Sequence, residues 1–517
     1  MNVRASTRLT KPRIATDQIS PTPRDVYQSG IFSLTKTERR IRNSATNIFG
    51  ANALPVSTIP QSAPAHRAGV GYAWYVVGVL TLCYMLSFVD RQILSLLVGP
   101  IKRDLVISDT RVGLLQGLAF ALFYTLAGLP IGHLVDTRNR RNLVMAGVVI
   151  WSVFTSGCSV ARSFWSLFLT RIGVGVGEAT LNPSAFSLIS DYFPRERLST
   201  AMSVFYLGAL TGSGLAFAVG GTIVDAVTKI GVLNLPVLGA TASWRLTFLA
   251  VGAPGILFAL LVSTVREPVR RGLLRTADGD VAKLPFRELL AQIRMRWQSV
   301  LGISAGMAFQ AMCLYGFVAW APTFFQRVHG WTPGQAGRVL GLITVAFGCP
   351  GMLIGGALAD RLQRRGVYDA PLRVAILGAI GTGVLFASAL STAKLELTLA
   401  LLGPALFFNT LPMGTSAAAL QLIFPNQLRG FISAIFLFIL NLGGLSLGPL
   451  LPGVFTDYLF HNERAVGASL GLSIAIASTL MLLTFLITIA RYRADYQMAN
   501  QEELRSGSLN DLEKQSP

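Results

Sequence analysis

Gly132-His133-Leu134-Val135-Asp136-Thr137-Arg138-Asn139-Arg140-Arg141 lies between two apolar runs and is charged where they are not. A second copy stands at Gly356-Ala357-Leu358-Ala359-Asp360-Arg361-Leu362-Gln363-Arg364-Arg365. The glycine, leucine, aspartate and paired arginines match at one offset, since 356 − 132 and 360 − 136 both give 224. Five positions at one offset indicate internal duplication, and duplication in an apolar chain points to a transporter architecture.

The totals agree. The 517 residues are 52% hydrophobic and 13% charged, with a mean hydropathy of +0.54. A soluble domain carries about 25% charged residues. The apolar runs are long enough to cross a bilayer, which takes roughly 20 residues per helix. A net charge of +19 would suggest nucleic acid on a soluble protein. Here the arginines cluster in short gaps between apolar runs, as in the cytoplasmic loops of an inner-membrane protein. Cys83, Cys158, Cys313 and Cys349 all fall inside spans without a CxxC spacing. They read as small buried hydrophobes, and no metal site, disulfide or cofactor is expected.

Residues 1–70 are rich in Ser, Thr, Pro and Arg and poor in acids. That composition fits a disordered cytoplasmic tail, and also an organelle transit peptide. Six spans follow within 71–265: about 74–98, 112–134, 143–160, 164–189, 201–224 and 244–265. A basic stretch, 266–297, is the natural linker. Six more spans fill 298–490: about 300–322, 336–359, 372–390, 397–420, 431–454 and 466–489. A polar tail, 491–517, closes the chain. The motif thus follows the second and the eighth span. Phe193-Pro194 after span four is echoed by Phe424-Pro425 after span ten, with Arg197 and Arg429 just beyond. The arginine-rich loops include Arg138, Arg195, Arg361, Arg373, Arg429 and the linker. Their side is cytoplasmic by the positive-inside rule, and an even span count puts both termini there. Small residues in spans five and eleven allow close helix packing, or sliding during a transport cycle.

Few ionisable residues lie deep in a span: Asp90 and Arg91 in span one, Arg171 and Glu178 in span four. Such charges normally face a bundle interior and mark a pathway or proton relay. At 1.5 Å per residue, Asp90 lies about 24 Å along its span and Arg171 about 10 Å below the opposite surface, so the two share a depth. Glu178, nearly two turns further on the same face, falls near the midplane. The expected arrangement is an Asp90–Arg171 pair with Glu178 beneath it. Protonating either acid would free an arginine, and an apolar site disfavours a charged carboxylate. The alternative is a static ion pair tying two helices together. Arg91 could instead snorkel toward the interface. The second half has no comparable charge, but offers Gln310, Tyr315 and Asn409, which with Tyr124 form the expected substrate cavity. Its aromatics serve packing or ligand contact.

At these residues the chain resembles a family. Gly132-x-Leu134-x-Asp136-x-x-x-Arg140-Arg141 resembles the loop after the second helix of the major facilitator superfamily, with Asn139 where a glycine is usual. Phe88-Val89-Asp90-Arg91 and the Arg171…Gly177-Glu178 run resemble the Spinster-like branch; the anion:cation symporter branch shares the Asp-Arg pair. The resemblance implies an all-α integral membrane fold, twelve transmembrane helices in two pseudo-symmetric six-helix bundles, with alternating access by rocking. It implies proton coupling through the matching aspartate and glutamate, and a cytoplasmic gate comprising Gly132, Asp136, Arg140, Arg141, Asp360 and Arg364. Asp136 would cap a neighbouring helix, whose N-terminus attracts a carboxylate.

The leading expectation is a proton-coupled secondary transporter of a small organic or amphipathic solute, with an anionic lipid-like molecule suiting the arginines. The alternatives are an uncoupled facilitator, an organic-anion transporter of the symporter type, and a membrane sensor without transport. No catalytic residues are expected: HExxH, GxSxG and Walker patterns are missing and the four histidines are scattered. The expected partners are a small-molecule substrate, protons and membrane lipid, but no nucleic acid. The expected state is a monomer in the plasma membrane, or in an organelle membrane if the N-terminal stretch is a transit peptide.

Overall fold

Helices account for nearly all of the described chain, because apolar runs of this length can bury their backbone polar groups in lipid only as helices. In the structure, a computed structural model, the described residues are 70–193, 195–230, 233–235, 239–270, 286–392, 394–424 and 426–513. They belong to one compact unit. The predicted tail 1–69, part of the linker, and the side chains of Asp136 and Arg429 lie outside the described residues.

The first half comprises α1 (Val70–Leu96), α2 (Val98–Leu105), α3 (Asp109–Gln116), α4 (Leu118–Thr137), α5 (Arg140–Gly157), α6 (Phe164–Glu178), α7 (Leu181–Tyr192), α8 (Arg195–Ile230), α9 (Ser243–Gly252) and α10 (Gly255–Ser263). A two-stranded hairpin, β1 (Leu233–Leu235) and β2 (Gly239–Thr241), joins α8 to α9. The second half comprises α11 (Phe286–His329), α12 (Pro333–Ile343), α13 (Cys349–Arg364), α14 (Ala370–Ser391), α15 (Leu395–Thr410), α16 (Thr415–Leu422), α17 (Asn426–Leu440), α18 (Ser446–Val454) and α19 (Val466–Glu513).

Among the described residues ten segments are long and apolar enough to cross a membrane, two of them assembled from two helices that meet at Gly117 and at Ala253-Pro254. The other two crossings, four and ten, are broken. α6 gives way to α7 at Ala179-Thr180, and α15 to α16 at Leu411–Gly414. Pro183 follows the first break by one turn and cannot donate to the Ala179 carbonyl; Pro412 sits in the second. The sequence reading ran both crossings straight through. It also ended span twelve at 489, whereas its helix runs on to Glu513. Span eleven is interrupted by π-helical turns at Asn441–Leu445 and Phe455–Leu459.

The two halves meet unevenly. At the end away from the linker, one apolar cluster takes in Ile93, Leu97, Phe217 and Phe248 from the first half and Phe317, Trp320, Phe324 and Phe386 from the second. Toward the linker the core is divided. One cluster gathers Val76, Leu188 and Phe193, and a separate one Val300, Phe424 and Tyr492. The described hydrogen bonds that cross between halves also lie at the far end. Asp109, fully buried, accepts from Lys102 Nζ at 2.7 Å and from Arg327 Nη1 at 2.7 Å. Lys102 also reaches Glu463 at 2.8 Å. Glycines line this seam: a Cβ on Gly117 would stand 2.5 Å from the Ser446 carbonyl, and one on Gly341 would be just as crowded by Gly214. At the motif glycines Gly132 and Gly356 a Cβ would meet nothing within 4 Å.

Candidate functional site

The alternating glycines of α6 explain how its charges come to be buried. A Cβ on Gly175 would stand 2.7 Å from the Phe120 carbonyl, and one on Gly177 would stand 2.6 Å from the Trp151 amide nitrogen. Without those side chains α4 and α5 close directly onto α6. Asp90, Arg171 and Glu178 are each 1% exposed in consequence.

Arg91 reaches from α1 to the last turn of α6. Its Nη2 lies 2.5 Å from Glu178 Oε2, and its Nε donates to the same oxygen at 2.6 Å. The guanidinium is stacked as well as paired. Its carbon lies 4.5 Å from the Phe120 ring centre, 5.1 Å from Phe88 and 5.2 Å from Tyr124. Arg171 approaches Phe120 too, at 5.7 Å. Ring quadrupoles attract cations, most strongly where water is excluded.

The expected Asp90–Arg171 ion pair is replaced by this Arg91–Glu178 pair. Arg171 does come level with Asp90, as the depth estimate required, but its Nη1 donates to the Asp90 backbone carbonyl at 3.3 Å. Consecutive residues on a helix point about 100° apart, so Asp90 and Arg91 cannot serve the same face. Both Asp90 carboxylate oxygens lack a hydrogen-bond partner, as do Glu178 Oε1, Arg171 Nε and Trp151 Nε1. The Trp151 indole N–H is nonetheless the donor placed to bond the Asp90 carboxylate, while Glu178 and both arginines act on it electrostatically. Arg91 is held inward rather than snorkelling.

Duplication makes the asymmetry explicit. The offset near this helix is 232, from 429 − 197. It carries the break after Glu178 onto the break after Thr410, and it sets Gly403 and Thr410 where the first half has Arg171 and Glu178. The motif offset of 224 sets Tyr315 where the first half has Arg91. Tyr315 and Tyr124 both lie within electrostatic reach of Arg91. The other two expected cavity residues pair with each other: Gln310 Nε2 donates to Asn409 O at 3.0 Å and to its Oδ1 at 3.1 Å. Both are buried.

The motif loop is bound by its own half and by the first residues of the linker. Asn139 takes the N-cap position of α5 and accepts from the Asn142 amide at 3.0 Å, which accounts for its standing where a glycine is usual. Arg140, buried, meets Asp191 at 2.5 Å, Glu267 at 2.7 Å and Ser187 at 2.8 Å. The Arg141 amide donates to Glu267 at 3.0 Å. Arg270 donates to the Val135 and Arg138 carbonyls at 2.8 and 2.7 Å. The second copy differs: among the described residues, Arg364 Nε reaches its own helix at the Asp360 carbonyl, 3.4 Å away. There Asp369 gathers Arg373 and Arg493 at 2.9 and 2.5 Å.

Sequence reasoning quoted Phe88 as part of the Phe88–Arg91 motif without a site role, and missed Phe120 and Asn182, whose amide donates to the Tyr124 hydroxyl at 3.0 Å. The i, i+4 spacing of Phe120 and Tyr124, and of Glu178 and Asn182, was the available signal.

The sequence model of the Major Facilitator Superfamily matches residues 80–449. An MFS-type efflux pump of Mycolicibacterium smegmatis is 32% identical over 442 residues, 83% of this chain and 96% of that protein. Protein spinster homolog 3 of Danio rerio is 28% identical over 82% of this chain and 85% of its own. A bacterial homologue of the human lysosomal transporter Spinster, solved in an inward-facing and unoccupied conformation, superposes with a TM-score of 0.62 at 27% identity, covering 84% of this chain and 98% of that one. A match that runs through both halves, around a charge cluster set in the helices that carry the Spinster resemblance, means that this chain belongs to the major facilitator superfamily and is a Spinster-like, multi-pass membrane transporter rather than an enzyme.

Proposed function

We propose that the chain is a proton-coupled secondary transporter working by alternating access on a small organic or amphipathic solute, with an anionic lipid-like molecule the best match to Arg91. The observation that carries this reading is the buried Asp90 carboxylate, which has no cation paired to it while two arginines stand near. A buried charge without a partner is costly, and a proton removes that cost. The Arg91–Glu178 pair is the second element. A proton on Glu178 would release Arg91 to an anionic substrate while the three rings keep it in place. The efflux pump and the Spinster transporter homologue among its relatives support a transported solute.

With the arginine-rich side taken as cytoplasmic, both termini lie inside, the protein sits in a plasma membrane, and the divided core at the linker end makes this conformation inward-facing. The cytoplasmic gate is the Gly132–Arg141 loop and its twin. Proteoliposomes test the coupling, with a substrate first found from a thermal-shift panel. Collapsing an imposed pH gradient should abolish uphill transport, and Asp90→Asn should abolish the response to the gradient. An unchanged rate in both experiments overturns proton coupling. That result would favour the one alternative with its own observation, an uncoupled facilitator in which the closed Arg91–Glu178 pair is purely structural.

A further inference from the structure

Two aspartates outside the buried charge cluster reach between the halves at the far end. Asp225 lies near the end of α8, and Asp457 in the π-helical turn after α18. Their spacing repeats, since 457 − 225 gives 232, and so does 453 − 221 for the glycines one turn before them. Asp457 Oδ2 accepts from the Thr110 amide and from the Thr110 hydroxyl, each at 2.6 Å, and Oδ1 accepts from the Asp109 amide at 3.3 Å. Asp225 Oδ1 accepts from the Gly334 amide at 3.0 Å, and Oδ2 from the Thr332 hydroxyl at 3.1 Å.

The turns they bind are also twins. Ser108 and Thr332, 224 apart, hold the N-cap positions of α3 and α12. They accept from the Arg111 and Gln335 amides at 3.3 and 3.2 Å. A helix start leaves four N–H groups without intrahelical partners. One hydroxyl satisfies one of them, and the carboxylate from the opposite half takes others, where the helix dipole favours negative charge. The glycines allow the approach: a Cβ on Gly453 would stand 2.5 Å from the Asp109 carbonyl, and one on Gly221 would stand 2.7 Å from the Pro333 carbonyl.

We infer that Asp225 and Asp457 are paired positioning residues for transport: each completes the N-terminal cap of a helix in the opposite half, and both caps release when the far end opens. The inference rests on alternating access and is independent of proton coupling. The test uses spin labels at Arg162→Cys and Lys394→Cys, exposed loop positions in opposite halves, with the four native cysteines replaced. Pulsed electron resonance then reads the far-end distance. Loss of a helix cap should raise the open-to-closed ratio about fivefold, equivalent to ~1 kcal/mol at about 1.4 kcal/mol per tenfold. Asp225→Ala and Asp457→Ala should each do so, and the double variant should give roughly twenty-five-fold, because distant sites add. Asp104→Ala, whose partners Trp244 and Arg245 belong to its own half, should leave the distance unchanged. Should the double variant not fold, the single variants carry the same test. A parent protein that samples two distances, with populations unmoved in the aspartate variants, overturns the caps alone. A parent and variants fixed at one distance overturn alternating access along with them.

Discussion

Arg91 joins more of the site than any other side chain: a carboxylate on α6 and three rings on α1 and α4. Removing one member of a buried ion pair leaves the other uncompensated, a loss of about 3–5 kcal/mol, whereas replacing both with apolar groups is often neutral. Arg91→Met alone should therefore lower the melting temperature sharply. Arg91→Met combined with Glu178→Leu should recover most of that stability and still lose pH-dependent transport. A double variant that is stable and retains its pH response would make the pair structural only. The four charges within spans one and four were legible in the sequence because each interrupts an apolar run. Their pairing was not, because rise per residue gives depth while the rotation of α1 decides whether Asp90 or Arg91 faces Glu178, and that rotation is set by packing.

Helix α6 shows the same division. Its start and its small-residue run were visible in the sequence, but neither its end at Glu178 nor that Gly175 serves α4 while Gly177 serves α5. Gly175→Ala should destabilise the fold by about 1–3 kcal/mol, the usual range for overpacking, since its new methyl would crowd the Phe120 carbonyl. Gly132→Ala should cost nothing of this kind in the present conformation, because the space beside it is open. Thermal unfolding of the two variants separates them, and equal losses would contradict the packing role. The breaks in crossings four and ten escaped the sequence reading for a related reason. Pro130 and Pro322 lie within continuous helices, so a proline in an apolar run does not by itself announce an interruption.

Across the whole molecule, duplication was the most legible feature and the departures from it the most informative. One offset relates Ser108, Gly113, Gly117 and Gly132 to Thr332, Gly337, Gly341 and Gly356, yet Asp90 and Glu178 have no acidic counterpart in the second half, where Leu314 and Thr410 stand. The far ends share a single apolar cluster while the linker ends keep separate ones. Which ends touch is a property of one conformation, and a sequence has to serve every conformation in the cycle. The clearance at Gly132 and Gly356 is then shape held in reserve. Under the proposed alternating access, the open space beside each motif glycine is where a neighbour would pack once the linker ends close. A leucine at Gly132 would act as a doorstop, harmless while the linker ends stand apart and obstructive once they try to meet. Gly132→Leu should therefore leave thermal stability near that of the parent while slowing turnover. Labels set across the linker ends should report a loss of the shorter distance. A leucine variant that turns over at the parent rate would mean that the groove stays empty throughout the cycle.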